Sequence, residues 1–281
     1  MNVADAMTPR DSLVTSVVPG SRTDVLDRLQ DDEFSSIPIV NDETGAFRGL
    51  VSREQLIANP DEDQLAMLVE DVPTVGPDAE LDAVARRFRD GDQRRLPIVE
   101  GDELLGLVTI TDIVHAIANS EVAADATADQ LMETGVNAVH QATPLTVAER
   151  ELAFADEPYG VVLDEAGSPT GMLTEVDVLD VARIVEGEES TGDSIADDDD
   201  DWKWEAIKAI GSRYLPTRNV QIPAEPVEMF MTDSLITVGQ SKSATDTAQL
   251  LITEDIEQVP VVSGDTLVGI LRDTDLLEAL A

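Results

Sequence analysis

The chain has 281 residues, of which 58 are Asp or Glu and 18 are Lys or Arg, so its formal net charge is −40. Cysteine is absent, which excludes disulfides, thiol catalysis and zinc–thiolate sites, and a multi-histidine metal site would have to use the two histidines, His115 and His140. So few cations disfavour binding to nucleic acid or to an anionic membrane, because both need Lys and Arg against phosphates.

The acidic surplus favours adaptation to high salt over an ordinary acidic cytosolic protein. Like charges oppose compaction in dilute buffer, and about 1 M salt screens them to within about 3 Å. No apolar run approaches the roughly 18 residues of a membrane span, and Met1–Arg10 shows no secretory signal. We therefore expect a halophilic protein of the cytoplasm.

One pattern recurs four times along the chain: a strand, a helix, a strand, a tight turn, a strand containing glycine, and a second helix. In the second copy, helical spacing is shown by Leu81, Val84, Ala85 and Phe88. The strands of this copy are predicted at Val72–Val75, Leu96–Val99 and Leu104–Val108. The turn between the last two contains Gly101-Asp102, which is typical of a hairpin.

The other copies align on their second strands, which are Ile37–Val40, Gly160–Leu163 and Val259–Val262. Each copy is therefore a β-α-β-β-α unit, and the predicted fold class is α+β. Two helices cannot cover both faces of such a small sheet, so we expect the copies to pack in pairs. Copies one and two are nearly contiguous and should form one pair, while copies three and four form the other.

Apolar-Pro strands and Gly-x-x-Thr-x-x-Asp segments make this arrangement resemble the cystathionine-β-synthase (CBS) domain family, whose tandem repeats pair into Bateman modules. The matching segments are Ile37–Val40, Leu96–Val99, Val259–Val262, Gly106–Asp112 and Gly171–Asp177, together with Ala6–Thr8 and Phe230–Thr232. The resemblance implies a first Bateman module over residues 1–120 and a second over residues 121–281. The second module carries an acidic linker and a helical insert, about residues 183–225, between repeats 3 and 4.

The resemblance also implies adenosine sites in clefts between paired repeats, where the aspartate of Thr-x-x-Asp accepts hydrogen bonds from the ribose hydroxyls. The corresponding carboxylates are Asp112, Asp177 and Asp275, and the adjoining helix-cap positions are Thr109, Thr174 and Ser52. The same spacing also forms a capping box whose purpose is only to begin a helix. Repeat 1 has Gln55 in place of the aspartate, so its site is expected to be empty.

Phosphate contacts are assigned by the same resemblance to Arg95, Arg94, Arg272 and His115. The alternatives are a surface carboxylate for Arg272 and a packed or exposed position for His115, while Arg86, Arg87 and Arg89 are expected to pair with Asp90 and Asp92. The base pocket is assigned to Val75, Pro97, Val139, His140, Tyr159, Val238 and Pro260. Tyr159 is either a stacking partner for a base or a packed core residue.

The insert changes character along its length. Residues 186–201 are acidic and end in five consecutive aspartates, which predicts a solvated linker. Trp202–Arg218 then carries four cations and both tryptophans, and Trp202–Ser212 is predicted to be helical. This segment docks either on the acidic surface of its own chain or on a partner.

The resulting hypothesis is a non-catalytic regulatory protein that binds AMP, ADP or ATP between repeats and signals to a partner by a conformational change. NAD and S-adenosylmethionine are less favoured, and no cofactor is required. The architecture is similar to the four-CBS regulatory subunit of energy-sensing protein kinases. The alternative is a ligand-independent adaptor that uses Trp202–Arg218 to bind its partner, and a homodimer is compatible with both. An enzyme is the least favoured class, because neither a catalytic constellation nor a catalytic domain is visible.

Overall fold

The repeated β-α-β-β-α unit organises the part of the chain that the structure describes. The computed structural model describes residues 1–31, 36–59, 62–91, 93–181, 183–184 and 220–280. The predicted docking segment Trp202–Arg218 and the acidic linker at 186–201 lie outside these residues.

Repeat 1 follows a short N-terminal segment. That segment contains α1 (Val3–Ala6), β1 (Thr8–Pro9) and a 3-10 turn (Arg10–Ser12). The repeat itself consists of β2 (Ser16–Val18), α2 (Arg22–Asp31), β3 (Ser36–Asn41), β4 (Phe47–Ser52) and α3 (Arg53–Ala58). Strand β3 lies in the middle of this sheet, parallel to β2 and antiparallel to β4.

Repeat 2 begins after the short helix α4 (Leu65–Leu68). Its elements are α5 (Leu81–Asp90), β5 (Arg95–Glu100), β6 (Glu103–Thr109) and α6 (Ile110–Ala118). The predicted strand Val72–Val75 is reduced to a single bridge between Val75 and Ile98. The outer edge of β6 is instead paired with β1, so the sheet order is β1-β6-β5.

Repeat 3 follows α7 (Ala128–Leu131) and repeats the order of repeat 1. Its elements are β7 (Ala138–His140), α8 (Leu145–Ala155), β8 (Tyr159–Leu163), β9 (Pro169–Thr174) and α9 (Glu175–Val181). Directly after α9, β10 (Arg183–Ile184) pairs antiparallel with β11 (Val220–Gln221). The two ends of the insert are therefore held side by side.

Repeat 4 follows a 3-10 turn at Val227–Met229. It consists of β12 (Val238–Gly239), α10 (Ala244–Glu254), β13 (Gln258–Ser263) and β14 (Thr266–Arg272). The expected closing helix is a 3-10 helix, Asp275–Leu280, rather than an α-helix.

The apolar spacing of helix α5 predicts its buried face correctly. Leu81, Val84, Ala85 and Phe88 are each at most 3% exposed. The intervening arginines are exposed, and they complement the negative end of the helix dipole at its last turn. Burial of this apolar stripe is what holds such a short helix in place, because a ten-residue helix is marginal in isolation.

The chain divides into two compact units that do not follow repeat boundaries. The first comprises Met1–Leu131, Lys242–Gln258 and Arg272–Ala281, and the second comprises Met132–Ser241 and Val259–Leu271. The helices of repeat 4 thus belong to the first unit and most of its strands to the second. The division of the chain into modules at residues 1–120 and 121–281 stays a prediction.

Candidate functional site

The linkers before the repeats are exchanged within pairs. Thr8, which precedes repeat 1, pairs with Leu107 of repeat 2, and Glu70, which precedes repeat 2, pairs with Leu50 of repeat 1. Glu70 and Leu50 exchange two backbone hydrogen bonds of 2.8 and 3.1 Å. The sheet of repeat 2 therefore gains strand β1 from the linker before repeat 1, and the sheet of repeat 1 gains a single backbone bridge from the linker before repeat 2.

The same exchange joins repeats 3 and 4. Glu133, which precedes repeat 3, exchanges backbone hydrogen bonds of 2.8 and 2.9 Å with Ile270 of repeat 4. Thr232, which precedes repeat 4, does so with Met172 of repeat 3 at 2.9 and 3.0 Å. The predicted pairing of repeats, one with two and three with four, agrees with these contacts.

A glycine precedes the paired residue in every repeat because the linker passes directly over it. A Cβ at Gly106 would lie 2.6 Å from the Thr8 carbonyl oxygen and 2.5 Å from Met7 Sδ. The corresponding distances at Gly171 and Gly269 are within 0.1 Å of these, each from another methionine and the carbonyl that follows it. The glycine of the Gly-x-x-Thr segment is thus required by close approach of the partner's linker.

The crossing also places the linker side chain beside the helix cap of the partner repeat. Side chains on a strand alternate between faces, so Thr8, opposite Leu107, lies on the same face as Thr109, two residues further along β6. By the same rule, Glu70 lies on the face of Ser52. Each predicted crevice would therefore be bounded by the cap of one repeat and the linker of the other.

Two caps share one geometry. In repeat 2, Asp112 Oδ2 accepts hydrogen bonds from the Thr109 amide at 2.7 Å and from its hydroxyl at 2.8 Å. In repeat 3, Asp177 Oδ2 accepts from Thr174 at the same two distances. These are capping boxes, so the capping interpretation is confirmed at both positions, while their second role as ribose acceptors stays a prediction.

The carboxylate of Asp112 is partly removed from water. Burial raises the pKa of Asp112, and the Thr109 hydrogen bonds, the charge of His115 and a hydrogen bond from the Thr8 hydroxyl oppose that rise. Asp112 is therefore neither fully exposed nor fully buried, and the linker residue Thr8 is within reach of its carboxylate. His115 itself is exposed one turn further along α6.

The other two caps depart from this geometry. In repeat 1, the Ser52 hydroxyl accepts a hydrogen bond from the backbone amide of Gln55 at 3.1 Å. The side-chain amide of Gln55 donates to the Glu70 carboxylate. In repeat 4, the Arg272 amide donates to Asp275 Oδ2 at 2.7 Å, and Arg272 Nε lies 3.5 Å from the same oxygen. The sequence predicts that Arg272 contacts either a phosphate or a carboxylate, and its contact with Asp275 corresponds to the second alternative.

Arg95 lies at the centre of the first pair. It is opposite Thr109 in the register of β5 and β6, and its Nη1 donates at 2.8 Å to the hydroxyl of Ser36. Ser36 is in turn opposite Ser52. Burial lowers the pKa of the Arg95 guanidinium, with a further contribution from Arg94, yet arginine stays charged at neutral pH. The register therefore places the backbone of Arg95 beside Thr109 of repeat 2, while its guanidinium contacts repeat 1 at Ser36.

Arg94 has a different environment from its neighbour. Its Nη2 lies 2.5 Å from the carboxylate of Asp273 and 3.8 Å from that of Glu257, both in repeat 4. Asp273 is only 8% exposed, so the pair is partly shielded from water. This ion pair engages the Arg94 guanidinium, and the phosphate contacts of Arg94 and Arg95 both stay predictions.

The other arginines of repeat 2 are mostly paired on the surface. Arg89 contacts Asp90 at 3.2 Å, as expected. Arg86 contacts Asp82 at 2.9 Å, one helical turn before it and not among its expected partners. Arg87 donates to a backbone carbonyl, that of Thr74. Asp92 lies outside the described residues.

The residues predicted for the base pocket are largely buried. This holds for Val75, Pro97, Val139, Val238 and Pro260. Tyr159 is 2% exposed and packs with Val161 and Ile270, so the core interpretation fits its position better than stacking on a base. His140 is exposed, and its Nδ1 accepts from the Ala142 amide at 3.1 Å.

Sequence reasoning missed the linker residues Thr8 and Glu70 as members of the crevices. The signal was present in the Met7-Thr8 and Met231-Thr232 dipeptides, but nothing in one sequence shows which glycine a linker crosses. It also missed Arg28, which donates to the Thr15 carbonyl beside β2 at 2.5 Å. Arg28 and Arg87 occupy equivalent helix positions, so an alignment of the repeats with each other could have revealed this contact.

Two negative findings apply to the described part of the chain. Its helices include none that is long and apolar enough to cross a bilayer. Within the same residues, His, Asp and Glu side chains form no group suited to hold a metal ion.

Three archaeal proteins are similar to this chain, one in sequence and two in structure. A protein of Methanocaldococcus jannaschii, MJ1404, is 27% identical over 99% of this chain, which spans 62% of that relative's length. The crystal structure of an uncharacterized conserved protein from Pyrococcus horikoshii aligns with this chain over the full length of both proteins, with 25% identity and a TM-score of 0.69. Protein MJ1225 of M. jannaschii, described as a proposed archaeal homolog of g-AMPK, shares the fold with a TM-score of 0.63 at 17% identity.

The CBS-domain sequence model matches three segments, residues 4–61, 66–119 and 227–281, which together make up more than half of the chain. Repeat 3 lies outside these matches, although β7, α8, β8, β9 and α9 follow the same order. Gly160 replaces the strand proline there, and the insert follows the repeat. This chain belongs to the CBS domain family.

Proposed function

We propose that this protein is a non-catalytic regulatory subunit that binds adenosine nucleotides in crevices between paired CBS repeats. The crevices of repeats 2 and 3 are the best equipped, because Asp112 and Asp177 have the same cap geometry. In this proposal the protein acts in the cytoplasm, and the nucleotide changes how it contacts a partner protein or a second copy of itself.

The observation that carries the proposal is the combination of groups around Thr109. Asp112 is a partly buried carboxylate on one side, and Arg95 is a partly buried guanidinium on the adjacent strand. A ribose offers two neighbouring hydroxyl donors, which suit a carboxylate, while a phosphate suits an arginine. AMP, ADP and ATP carry both groups on one molecule, which favours them over ligands without a phosphate at this position.

The exchanged linkers give binding a route to a conformational response. A ligand held by Asp112 would rest against Thr8, and Thr8 belongs to the linker of the other repeat of the pair. Binding would then change the angle between paired repeats only if the two arrangements differ in nucleotide affinity. The regulated partner is part of the proposal and is not identified by its chemistry.

Thermal unfolding with candidate ligands tests the proposal. The full chain is melted in about 1 M KCl, which screens its charge, with AMP, ADP, ATP, NAD or S-adenosylmethionine. A ligand present at about 100 times its Kd should stabilise the folded state by about 2.7 kcal/mol. We expect a shift with the adenine nucleotides and a weaker one with 2′-deoxy-AMP, which lacks one donor for Asp112.

Site variants then locate the binding. Asp112→Asn and Asp177→Asn should each reduce the shift, whereas Asp180→Asn should not, because Asp180 is an exposed carboxylate one turn beyond Asp177 on the same helix. If no ligand shifts the melt, the adaptor alternative is favoured. A shift that both site variants leave unchanged would place the ligand elsewhere.

A further inference from the structure

The two crevices of the first pair contain the same kinds of position but opposite polarity. In repeat 2, the helix supplies a carboxylate, Asp112, and the linker supplies a hydroxyl, Thr8. In repeat 1, the helix supplies an amide, Gln55, and the linker supplies a carboxylate, Glu70. Both side chains in repeat 1 are also larger than their counterparts.

In repeat 1, the helix residue and the linker residue hydrogen-bond to each other. The Gln55 amide donates to Glu70 Oε1, and Glu70 is fixed by two backbone hydrogen bonds to Leu50. A ribose entering there would have to break a charge-assisted hydrogen bond and displace the longer side chains, and a bond to an ionised group is roughly twice as strong as a neutral one.

The pair in repeat 2 is easier to open. A threonine hydroxyl both donates and accepts, and it can rotate from Asp112 toward a ligand oxygen without leaving a buried charge unpaired. The Thr109 amide and hydroxyl remain on Asp112 Oδ2 at 2.7 and 2.8 Å. The carboxylate therefore stays oriented by its own cap while Oδ1 keeps acceptor capacity for a ligand.

Arg95 does not distinguish the two crevices. Its backbone lies opposite Thr109, and its guanidinium donates to Ser36, which is opposite Ser52, so Arg95 neighbours both caps in the strand register. Ser52 also supplies repeat 1 with a hydroxyl cap like that of Thr109. The difference between the crevices is thereby reduced to the helix residue and the linker residue.

We propose that the linker residue from the partner repeat, together with the helix residue it faces, decides whether a crevice accepts a ribose: Thr8 with Asp112 leaves the repeat 2 crevice open, and Glu70 with Gln55 closes that of repeat 1. The inference rests on the proposed function. It assigns specificity to residues outside the Thr-x-x-Asp motif, and Thr232 places repeat 3 in the open class by its equivalent position beside Met172.

Exchanging the residue pairs tests this assignment. The variant Gln55→Asp with Glu70→Thr gives repeat 1 the residues of repeat 2, and we expect it to bind one more AMP per chain than the unmodified protein. The variant Asp112→Gln with Thr8→Glu makes the reverse exchange, and we expect it to bind one fewer. Equilibrium dialysis with labelled AMP in molar KCl measures the stoichiometry, and a melt confirms that each variant is folded.

Single substitutions serve as controls. Glu70→Thr alone leaves repeat 1 without a carboxylate, and Gln55→Asp alone places two carboxylates together, so neither should add a site. If the unmodified chain binds AMP and both folded double variants keep its stoichiometry, the linker assignment is wrong while the proposed function stands. If the unmodified chain binds neither AMP nor adenosine, the proposed function and this inference both fall.

Discussion

Gly106 lies beneath the linker of the neighbouring repeat, and its replacement by alanine should be costly. The new Cβ would meet the Thr8 carbonyl at 2.6 Å, and a backbone atom in a paired strand cannot easily move away. We expect Gly106→Ala to lower the free energy of unfolding by about 1–3 kcal/mol, as is typical of overpacking. Denaturant titration measures this loss.

Gly76→Ala is the matched control. A Cβ at Gly76 would have no atom within 4 Å, and Gly76 lies in the same repeat. This variant should keep the stability of the unmodified chain to within about 0.5 kcal/mol. Equal losses at Gly76 and Gly106 would contradict the close-approach explanation.

The raised pKa of Asp112 predicts how the free energy of unfolding depends on pH. Its pKa is raised by burial, so the folded chain holds this proton at pH values where the unfolded chain has lost it. Stability should therefore fall as pH rises from the ordinary aspartate value of 3.8 through the raised pKa. The decline should be smaller in Asp112→Asn, whose side chain does not titrate.

Chemical unfolding of both proteins between about pH 4 and pH 7 checks this sign. Nucleotide affinity should change in the opposite direction, because a protonated Asp112 has lost one acceptor for the ribose. Parallel stability curves for the two proteins would contradict the prediction.

At the scale of the elements, local patterns predict the strands and helices but not their outer contacts. The spacing of Leu81, Val84 and Phe88 specifies the buried face of α5, and Thr-x-x-Asp specifies where α6 begins. The predicted strand at Val72–Val75 fails because only Val75 meets a neighbouring strand, Pro73 having no amide to donate. The hydrogen bond between Gln55 and Glu70 depends on a crossing of two chain segments that neither segment indicates.

The ion pair between Arg94 and Asp273 joins repeat 2 to repeat 4 within the first unit, where helices α6 and α10 also pack. Because Asp273 is 8% exposed, Arg94→Ala would leave a carboxylate buried without its cation. We expect a loss of about 1–3 kcal/mol in the free energy of unfolding. A double-mutant cycle with Asp273→Asn should show that the two losses are not additive.

Arg86→Ala is the comparison for that cycle. Arg86 and Asp82 form an exposed pair one helical turn apart, with about half and two-fifths of their side chains in solvent. Such pairs contribute only about 0.3–0.5 kcal/mol. If Arg94→Ala and Arg86→Ala lower the free energy of unfolding equally little, the ion pair between Arg94 and Asp273 does not contribute significantly to stability.

For the molecule as a whole, the repeat pattern predicts which repeats pair, and the exchanged linkers explain why they must. An isolated repeat lacks the segment that covers the glycine of its third strand. The linker of the partner repeat supplies this segment, as Met7-Thr8 does over Gly106 and Met231-Thr232 does over Gly171. The assignment of repeat 4 to both compact units could not be predicted, because it depends on helix packing between distant segments. The order of the repeats along the chain predicts that the helices of repeat 4 belong to the same unit as repeat 3, whereas they belong to the first unit.

The net charge of −40 predicts that salt stabilises the folded chain. Self-repulsion is still strong at about 0.1 M salt, where the Debye length is about 10 Å, and it is nearly removed at about 1 M, where that length is about 3 Å. The melting temperature should therefore rise steeply with KCl up to about 1 M and more slowly beyond. Sucrose at matched osmolality acts by exclusion from the protein surface and should give only a gradual rise. A KCl curve as gradual as the sucrose curve would show that charge repulsion does not limit stability, and the acidic surface would then need an explanation other than life at high salt.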